Sequence, residues 1–455
     1  MLRHEHSFMM YIGRRLDMNW LNTEIAQRWR TEGKRYASEI NEYVRIGMEN
    51  GWPEELQPPE DDQRRSIAGD ILRMIQGANQ AGETKRLREE IPPASWPITS
   101  EFGDRLQPID PLTFLRDGSL LVHAGGQRTR GTLYLAHGEQ LTTVPDANFA
   151  GGSRDGAYVA LVNEEGIRVV EGMTADSDGA QVAVYPWEEV QSKLKLALPN
   201  LESLADVEHP EYVVDELIPF DGGRKLLLVC GYGIYLVDHE GGVELLNPEH
   251  ADLIEYEEED TIVDMAHGDV SPDGRWLAYG SQSSSHFLKD LQSGEVHAFE
   301  PASSYPHFAR FSKDSREVWY NACHFYNGAT FKVSLTEDGQ ESYGDIEKEW
   351  PMMNEEMRVY AAASLKDGFI LGDAYGYLKY IDRDGREIWR YFVGSTIFGM
   401  TAFADESMLA VGTYGGMLHL LKLDSGQKSE YSIGTAKVIE TDRWVLWRDQ
   451  EPLRW

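Results

Sequence analysis

The chain has 455 residues, of which 41% are hydrophobic and 11% aromatic, and its formal net charge is −33 at pH 7. This length exceeds the usual limit of one compact core, so we expect several units or a repeat architecture. The charge disfavours nucleic acid and anionic membrane surfaces as partners, because both require a basic face. It favours a basic protein partner, although acidity also serves solubility alone.

Two further features bear on the cellular compartment. Cys230 and Cys323 each fall in an apolar, strand-like run, which predicts buried reduced thiols and a reducing compartment. The first residues, MLRHEHSFMMYIGRR, lack the long apolar run of a signal peptide, and no stretch approaches the length of a membrane span. We therefore expect a bacterial cytoplasmic protein, or one exported by a route that leaves no signal.

Residues 1–95 are predicted to form an α-helical N-terminal segment. Apolar residues recur at helical spacing within 14–50 and form one stripe, which comprises Ile25, Trp29, Tyr36, Ile40, Tyr43 and Val44. A second helix is predicted over 61–77, and IPPASWP then favours an extended linker. The segment holds 14 Lys or Arg and 16 Asp or Glu, so nearly all the negative charge lies in residues 96–455. This shift in composition predicts a domain boundary near residue 95.

The stretch VSPDGRWLAYG, residues 270–280, has the pattern of two strands joined by a tight turn. Pro272 presets a φ that suits the turn, and Gly274 can adopt positive φ. The hairpin recurs in degraded form, which indicates a repeat architecture. The other copies span residues 111–124, 148–162, 215–230, 307–320, 361–372, 399–412 and 436–449.

Most of these hairpins are followed by a third and a fourth short strand. Examples of the third element are GYGIYLVDHEGG at 231–242 and YGGMLHLLKLDSG at 414–426. Four strands per unit, at a spacing of roughly 40–50 residues, are typical of a β-propeller blade. SPDGRWLAYGS resembles the repeat of the WD-repeat and TolB-like propeller superfamily. YGYLKYIDRDGREIWRY, which contains Trp389, resembles quinoprotein-type propeller repeats, but the chain offers no cofactor constellation and we assign no quinone.

The predicted fold is an all-β propeller over residues 96–455, preceded by the α-helical segment. Eight hairpins favour eight blades, with seven as the alternative. A closed ring removes exposed sheet edges. In the eight-bladed arrangement, a strand from 96–110, such as ASWPITSEF, completes the last blade together with the strands of RWVLWRDQEPLRW.

Departures from the repeat are the candidate partner-binding sites. Residues 186–211 insert a helix-like stretch, and residues 248–260 carry seven carboxylates. The second insertion is predicted to bind a basic partner, with Tyr256 as an aromatic anchor among acidic residues. The predicted contact residues are Glu255, Tyr256, Glu257, Glu258, Glu259 and Asp260. The loop 347–357 adds adaptable contact residues, which are Trp350, Met352 and Met353. The alternatives are a solvated loop and a loop folded over the propeller.

No catalytic, metal or cofactor site is predicted. His267, Asp269 and His307 sit near strand starts, where propellers face their central channel, but no metal-binding spacing accompanies them. The nucleophile motif G-x-S-x-G is absent, so a propeller-plus-hydrolase arrangement is not supported.

We therefore predict a non-enzymatic protein-binding propeller that engages a basic partner, in one form as an immunity or antitoxin-type protein. One alternative is a hydrolase or lyase with a site in the central channel. Another is an assembly scaffold that docks through the stripe of Trp29, Tyr36 and Ile40 on the first helix.

Overall fold

Seven antiparallel sheets follow one another along the chain in the computed structural model, which describes residues 20–126, 131–340, 343 and 348–455. In every sheet, strands that are adjacent in sequence are adjacent in space. The first strands of successive sheets contact each other, and the first strand of the seventh sheet contacts that of the first. The sheets therefore close into a ring, and the fold is a seven-bladed β-propeller.

Blades 1 to 6 have four strands each and blade 7 has five. The strands of blades 1 to 4 are β1 Ile109–Phe114, β2 Leu120–Ala124, β3 Thr132–His137, β4 Gln140–Thr143, β5 Phe149–Gly152, β6 Tyr158–Val162, β7 Gly166–Glu171, β8 Ala180–Pro186, β9 Val214–Phe220, β10 Lys225–Cys230, β11 Gly233–Asp238, β12 Gly242–Asn247, β13 His267–Val270, β14 Trp276–Gly280, β15 His286–Asp290 and β16 Val296–Phe299. The strands of blades 5 to 7 are β17 Tyr305–Phe311, β18 Glu317–His324, β19 Asn327–Ser334, β20 Met352–Asn354, β21 Val359–Leu365, β22 Gly368–Asp373, β23 Tyr377–Asp382, β24 Glu387–Phe392, β25 Ile397–Ala402, β26 Met408–Thr413, β27 Met417–Lys422, β28 Ile439–Val445 and β29 Leu453–Arg454.

The turn of the repeated hairpin is stabilised by hydrogen bonds from its backbone N–H groups to the side chain of a serine in the turn. In blade 4, the Ser271 hydroxyl donates to Asp273 Oδ1 at 2.6 Å and accepts from the Trp276 backbone N–H at 2.8 Å. Residues 153–158 of blade 2 and 312–317 of blade 5 repeat this arrangement with a serine and an aspartate. The predicted hairpins between the first and second strands of blades 1 to 7 are therefore confirmed.

The preference for eight blades is wrong, and the reason lies in the last hairpin. Residues 436–449 do not begin a new blade, because β28 pairs with β27 as the fourth strand of blade 7. The stretch proposed to complete that blade is not a strand either, since Ser95–Thr99 forms a short helix. Apolar residues such as Val438, Trp444 and Val445 gave this segment the composition of a hairpin, but a single outer strand has the same composition.

The described residues contain seven α-helices outside the sheets. They are α1 Thr23–Asn50, α2 Ala68–Ala81, α3 Thr84–Glu90, α4 Ser95–Thr99, α5 Trp187–Ala197, α6 His250–Glu255 and α7 Glu337–Gln340. Single 3₁₀ turns occur at Gln63–Ile67, Gly103–Arg105, Leu204–Asp206 and Pro210–Tyr212. Within the described part of the chain, no helix is both long enough and apolar enough to span a membrane.

The N-terminal helices pack against blade 7. Trp29 of α1 is fully buried, its ring lies 6.1 Å from that of Trp455, and its Nε1 donates to the Pro92 carbonyl at 2.8 Å. Tyr36 and Ile40 are half-buried. The scaffold alternative required an exposed stripe, and its anchor Trp29 instead contributes to a core shared with the propeller.

A buried polar cluster joins the same helices to blade 7. Glu440 of β28 accepts from Arg443 Nε at 2.8 Å and from His419 Nδ1 at 2.9 Å, and Arg88 Nη2 of α3 lies 3.5 Å from its carboxylate. Burial acts to raise the pKa of Glu440, but the charge of Arg443 and the hydrogen bond from His419 outweigh it and hold the pKa well below its usual range. Burial lowers the pKa of His419, so this histidine is neutral and donates an ordinary N–H.

The strand order defines two faces of the ring. Because neighbouring strands are antiparallel, the turns from first to second and from third to fourth strand lie on one face, here called the lower face. The turns from second to third strand, and the connections between blades, lie on the other, here called the upper face. The insertions 187–213 and 248–266 connect blades 2, 3 and 4 and therefore both belong to the upper face.

Candidate functional site

The acidic segment, residues 249–260, is fixed to the upper face at both ends. Leu253 of α6 is buried and anchors the segment. At the far end, the Glu202 N–H donates to the Glu259 carbonyl and the Thr261 N–H donates to the Glu202 carbonyl, both at 2.9 Å. Asp260 therefore pairs with the neighbouring insertion as a β-bridge. The acidic segment is a positioned surface element and not a free loop.

The predicted acidic contact residues lie side by side on this segment. Glu255 and the three consecutive glutamates 257–259 are exposed, and Asp260 is half-buried. Tyr256 has 66% of its surface exposed in their midst. The structure thus brings all six predicted residues of this group together, and their role in partner binding stays a prediction.

The second predicted group lies elsewhere and is largely covered. The connection that contains Trp350 joins the third and fourth strands of blade 5, so it belongs to the lower face. Trp350 packs on Phe299, with ring centroids 5.3 Å apart. Met353 is only 5% exposed within the core, whereas Met352 is 38% exposed. Of this group, only Met352 offers a partner a substantially exposed side chain.

The upper face carries an aromatic patch that the sequence analysis did not single out. Its residues come from blades 5, 6 and 7 and are Tyr305, Phe325, Tyr326, Tyr360, Tyr375 and Tyr414. Phe325 and Tyr326 form the turn between β18 and β19 and are 74% and 63% exposed. The Tyr326 ring lies 5.8 Å from that of Tyr375, which is the matching turn residue of blade 6.

Arg358 supports the middle of the aromatic patch. Its guanidinium lies 4.8 Å from the centre of the Tyr360 ring, and its Nη1 donates to the Phe325 carbonyl at 2.8 Å. Tyr360 in turn lies 5.9 Å from Tyr414. The rings therefore form a supported surface across three blades.

The backbone at Phe325 adds a second observation. Phe325 has φ = +54°, in the left-handed region where a non-glycine residue costs about 1 kcal/mol or more. An exposed phenylalanine in a strained turn contributes little to folding, so its presence favours a role in recognition. The sequence did contain a signal: an aromatic residue occupies the turn from second to third strand at Tyr232, Phe325, Tyr375 and Tyr414. Because glycines stand next to these aromatic residues, the sequence indicated only tight turns at these positions.

The central channel is the second notable feature. Its cavity has a volume of about 500 Å³ and reaches from Tyr360 at the upper mouth to Lys313 at the lower mouth. Blades 1 to 5 line it with charged side chains, which include Asp110, Arg154, Glu216, Asp269 and Arg310. Blades 6 and 7 line it with small or apolar residues, including Ala362 and Gly399.

One ion pair crosses the channel. Arg154 of blade 2 donates from Nε to Asp269 Oδ1 of blade 4 at 2.5 Å, and Arg310 of blade 5 lies 3.6 Å from the same oxygen. The other oxygen of Asp269 accepts from the Phe311 N–H at 2.8 Å. Asp269 is thus a structural anion that holds non-adjacent blades together.

Asp110 has a different environment. Burial, followed by the nearby charge of Glu216, raises the pKa of Asp110 to about 7, while Arg310 opposes the shift. A Cβ at position 399 would collide with the Asp110 carboxylate, so Gly399 provides the space it occupies. Burial also raises the pKa of Glu216, whose Oε2 accepts from the Gly268 N–H at 3.1 Å.

We expect Asp110→Asn to stabilise the protein at alkaline pH. The folded-state pKa lies above the unfolded value near 3.8, so ionisation destabilises the native state as pH rises between these two values. The isosteric amide cannot ionise, and linkage gives a gain of up to about 4 kcal/mol at pH 8. Urea unfolding at pH 4 and pH 8 measures it. A gain that is equal at both pH values would contradict the assigned pKa.

The two histidines of the enzyme alternative have lowered pKa values. His267 is buried, and its Nδ1 donates to the Met265 carbonyl at 2.9 Å. Burial lowers the pKa of His267 to about 4, and burial with the charge of Arg358 lowers that of His307 to about 3. Both are therefore neutral near pH 7. In the described ranges, no three His, Cys, Asp or Glu side chains cluster as a metal site would require.

No family model matches the chain, and no curated protein matches it. Solved propellers resemble it at low identity. Hydrazine synthase of Kuenenia stuttgartiensis is 11% identical with a TM-score of 0.46, covering 70% of this chain and 97% of its own. The Cps50 (Swd1) β-propeller domain of Myceliophteria thermophila is 14% identical with a TM-score of 0.44, covering 68% and 92%. Hsv2 of Kluyvelomyces marxianus is 13% identical with a TM-score of 0.41, covering 74% and 98%.

At these identities and TM-scores, the likeness carries no argument about function. The seven sheets of the structure themselves confirm the predicted propeller resemblance. The upper face and the central channel of the chain itself are therefore the basis for its function.

Proposed function

We propose that this chain is a non-enzymatic, protein-binding propeller whose upper face engages a basic segment of a protein partner. The observation that carries the proposal is the presence, on that one face, of an exposed aromatic patch and an exposed acidic segment. Aromatic side chains supply most of the binding free energy in protein interfaces, and charged residues around them steer the partner. Together they suit a partner that carries Lys or Arg beside apolar residues.

The composition of the upper face supports a basic partner. Residues 248–266 contain eight Asp or Glu and no Lys or Arg. Ile254 and Ile262, at 68% and 48% exposure, extend the apolar surface between those carboxylates. A neutral or acidic partner would have to bury these charges without compensation, which costs several kcal/mol per ion.

One specific form of the proposal is an immunity or antitoxin-type protein that covers a basic toxin domain. This form rests on the net charge of −33 and the rigid ring, and it adds the partner's identity to the general proposal. Co-expression with a captured basic partner tests it. The partner alone would arrest growth, and the chain would restore growth only when its upper face is intact.

Affinity capture with chemical crosslinking, from cells in which the chain is native, tests the general proposal. We expect a basic partner whose crosslinks map to the upper face. With the purified partner, Phe325→Ser combined with Tyr326→Ser should weaken binding 30-fold or more, since hot-spot residues contribute about 2 kcal/mol or more each. Replacing glutamates 257–259 by glutamine should slow association and reduce its salt dependence.

Val296→Ser combined with Ile388→Ser is the matched control. Both residues lie on outer strands, at 43% and 53% exposure, so this variant also loses exposed apolar surface but leaves the upper face unchanged. It should bind the partner within twofold of the unmodified chain. The proposal fails if the partner is neutral or acidic, or if both upper-face variants bind as tightly as the control.

A further inference from the structure

The central channel contains two polar groups that the fold leaves unsatisfied. Among the described residues, no hydrogen bond reaches the carboxylate of Asp110, although it borders the cavity. Arg310 also lines the cavity; its Nε is buried and has no acceptor among the described residues, and its Nη1 lies 3.6 Å from Asp269 Oδ1. A buried donor without an acceptor costs about 1–3 kcal/mol, and more when it is charged. One anionic acceptor and one cationic donor thus face the same space.

The cavity beside these groups is large enough for a small molecule. Its volume of about 500 Å³ falls within the common range of ligand pockets, about 300–1,000 Å³. The space arises because blades 6 and 7 present small side chains, including Ala361, Ala362 and Gly399, opposite the charged side chains of blades 1 to 5. Tyr360 and Phe398 border the cavity toward the upper face.

The balance of charge limits what the cavity can bind. The described side chains that line it include five carboxylates and four cationic groups, so neither sign dominates, and Asp269 already pairs with Arg154. A cation alone would leave the Arg310 guanidinium with Asp269, 3.6 Å from its Nη1, as its anionic partner. An anion alone would be placed near Asp110 and Glu216, which repel it. A neutral molecule that carries both charges satisfies both groups.

We propose that the channel binds a small zwitterion of the α-amino acid class. Its ammonium group donates to the Asp110 carboxylate, and its carboxylate accepts from the Arg310 guanidinium. Ammonium–carboxylate and guanidinium–carboxylate contacts are charge-assisted hydrogen bonds, which are about twice as strong as neutral ones. The side chain of the ligand occupies the part of the cavity lined by alanines. This site lies inside the ring and meets the upper-face aromatic patch at Tyr360. The proposal does not depend on partner binding at that patch.

Ligand-observed NMR with the twenty standard L-amino acids, each at millimolar concentration, tests the proposal on the full chain. We expect a subset to bind, and calorimetry then gives the Kd of the best binder. Its N-acetyl and carboxamide derivatives each lack one charge and should bind at least tenfold more weakly. Asp110→Asn and Arg310→Gln should weaken binding of the free amino acid to a similar degree, with the near-UV circular dichroism unchanged.

Arg168→Gln is the matched control, because Arg168 is an exposed arginine on β7 outside the cavity lining and its loss should leave the Kd unchanged. Affinity should also rise about tenfold between pH 6 and pH 8. Over this range Asp110 ionises in the presence of Glu216, Arg310 and Tyr414, the charged and titratable groups that face it. If the carboxamide binds as well as the free amino acid, the site binds cations and the proposal is overturned. It is equally overturned if no amino acid binds below about 10 mM, which would indicate a water-filled channel.

Discussion

Trp29→Ala should reduce the free energy of unfolding by about 3–5 kcal/mol, the range for removing a fully buried tryptophan. Trp29 is 0% exposed and fills the junction between α1 and blade 7. Its removal deletes the contact with Trp455 and leaves the Pro92 carbonyl without its donor. The Arg64 guanidinium, 5.1 Å from the ring, loses its cation–π contact as well. Urea unfolding followed by far-UV circular dichroism measures the change.

Trp52→Ala, just beyond the end of α1, is the matched control. Trp52 is 48% exposed and contacts Tyr43 edge-on at 5.5 Å, so its removal should cost about 1 kcal/mol. If the two variants are equally stable, the helices do not depend on blade 7 for their stability. An early transition confined to the helical signal in Trp29→Ala would show that the junction opens before the ring unfolds.

Glu440→Gln is the second substitution with a large expected effect. The amide has nearly the same shape as the carboxylate, but it leaves the guanidiniums of Arg443 and Arg88 buried without their counter-charge. Breaking a buried ion pair by removing one partner costs about 3–5 kcal/mol. The same urea titration measures this loss.

Glu430→Gln provides the exposed comparison. Glu430 pairs with Lys34 at 2.8 Å, but both side chains are about half exposed, so the loss should be much smaller than that of Glu440→Gln. The two losses should also differ in their pH dependence. The pKa of Glu440 is lowered, so its contribution is fully present above the unfolded value near 4.5 and declines as pH falls below it. A Glu440→Gln deficit that is as large at pH 3 as at pH 7 would contradict this assignment.

The repeat was readable from the sequence because its physical requirements are local. A serine two residues before an aspartate, followed by glycine and an apolar run, forms its turn with its own side chains, as residues 271–276 show. The helical stripe was readable for the same reason, since Trp29 and Ile40 lie on one side of any α-helix. The insertion at 186–211 also contains the helix that its composition predicted, Trp187–Ala197.

The blade count was not readable, because it depends on pairing between distant segments. Residues 439–445 contain the β-branched and aromatic residues common in strands, and only their register against β27 makes them the fourth strand of blade 7. The stretch 95–99 could be a strand or a helix by composition, and packing beside α2 decided for the helix. Strand register and the difference between strand and helix in such short segments depend on tertiary contacts more than on local propensity.

Of the candidate sites, one could be predicted from consecutive residues and the other is formed only by residues that are distant in sequence. The acidic segment could be found because consecutive glutamates are visible in one stretch of sequence. The aromatic patch pairs Tyr326 with Tyr375 and Tyr360 with Tyr414, and these residues become neighbours only when blades 5, 6 and 7 stand side by side. Trp350 and Met353 looked like contact residues, but packing on Phe299 and within the core removed most of their surface.

By itself, the sequence determined the kind of repeat, the helical segment before it and the acidic character of the chain, because turn chemistry, periodicity and charge are properties of neighbouring residues. Only the tertiary structure decided that the ring has seven blades, that the helical stripe is buried on blade 7, and that Asp110 and Arg310 face one channel. These outcomes depend on which surfaces meet when a closed ring forms. The free energy that selects them comes from burial and pairing between residues that are hundreds of positions apart.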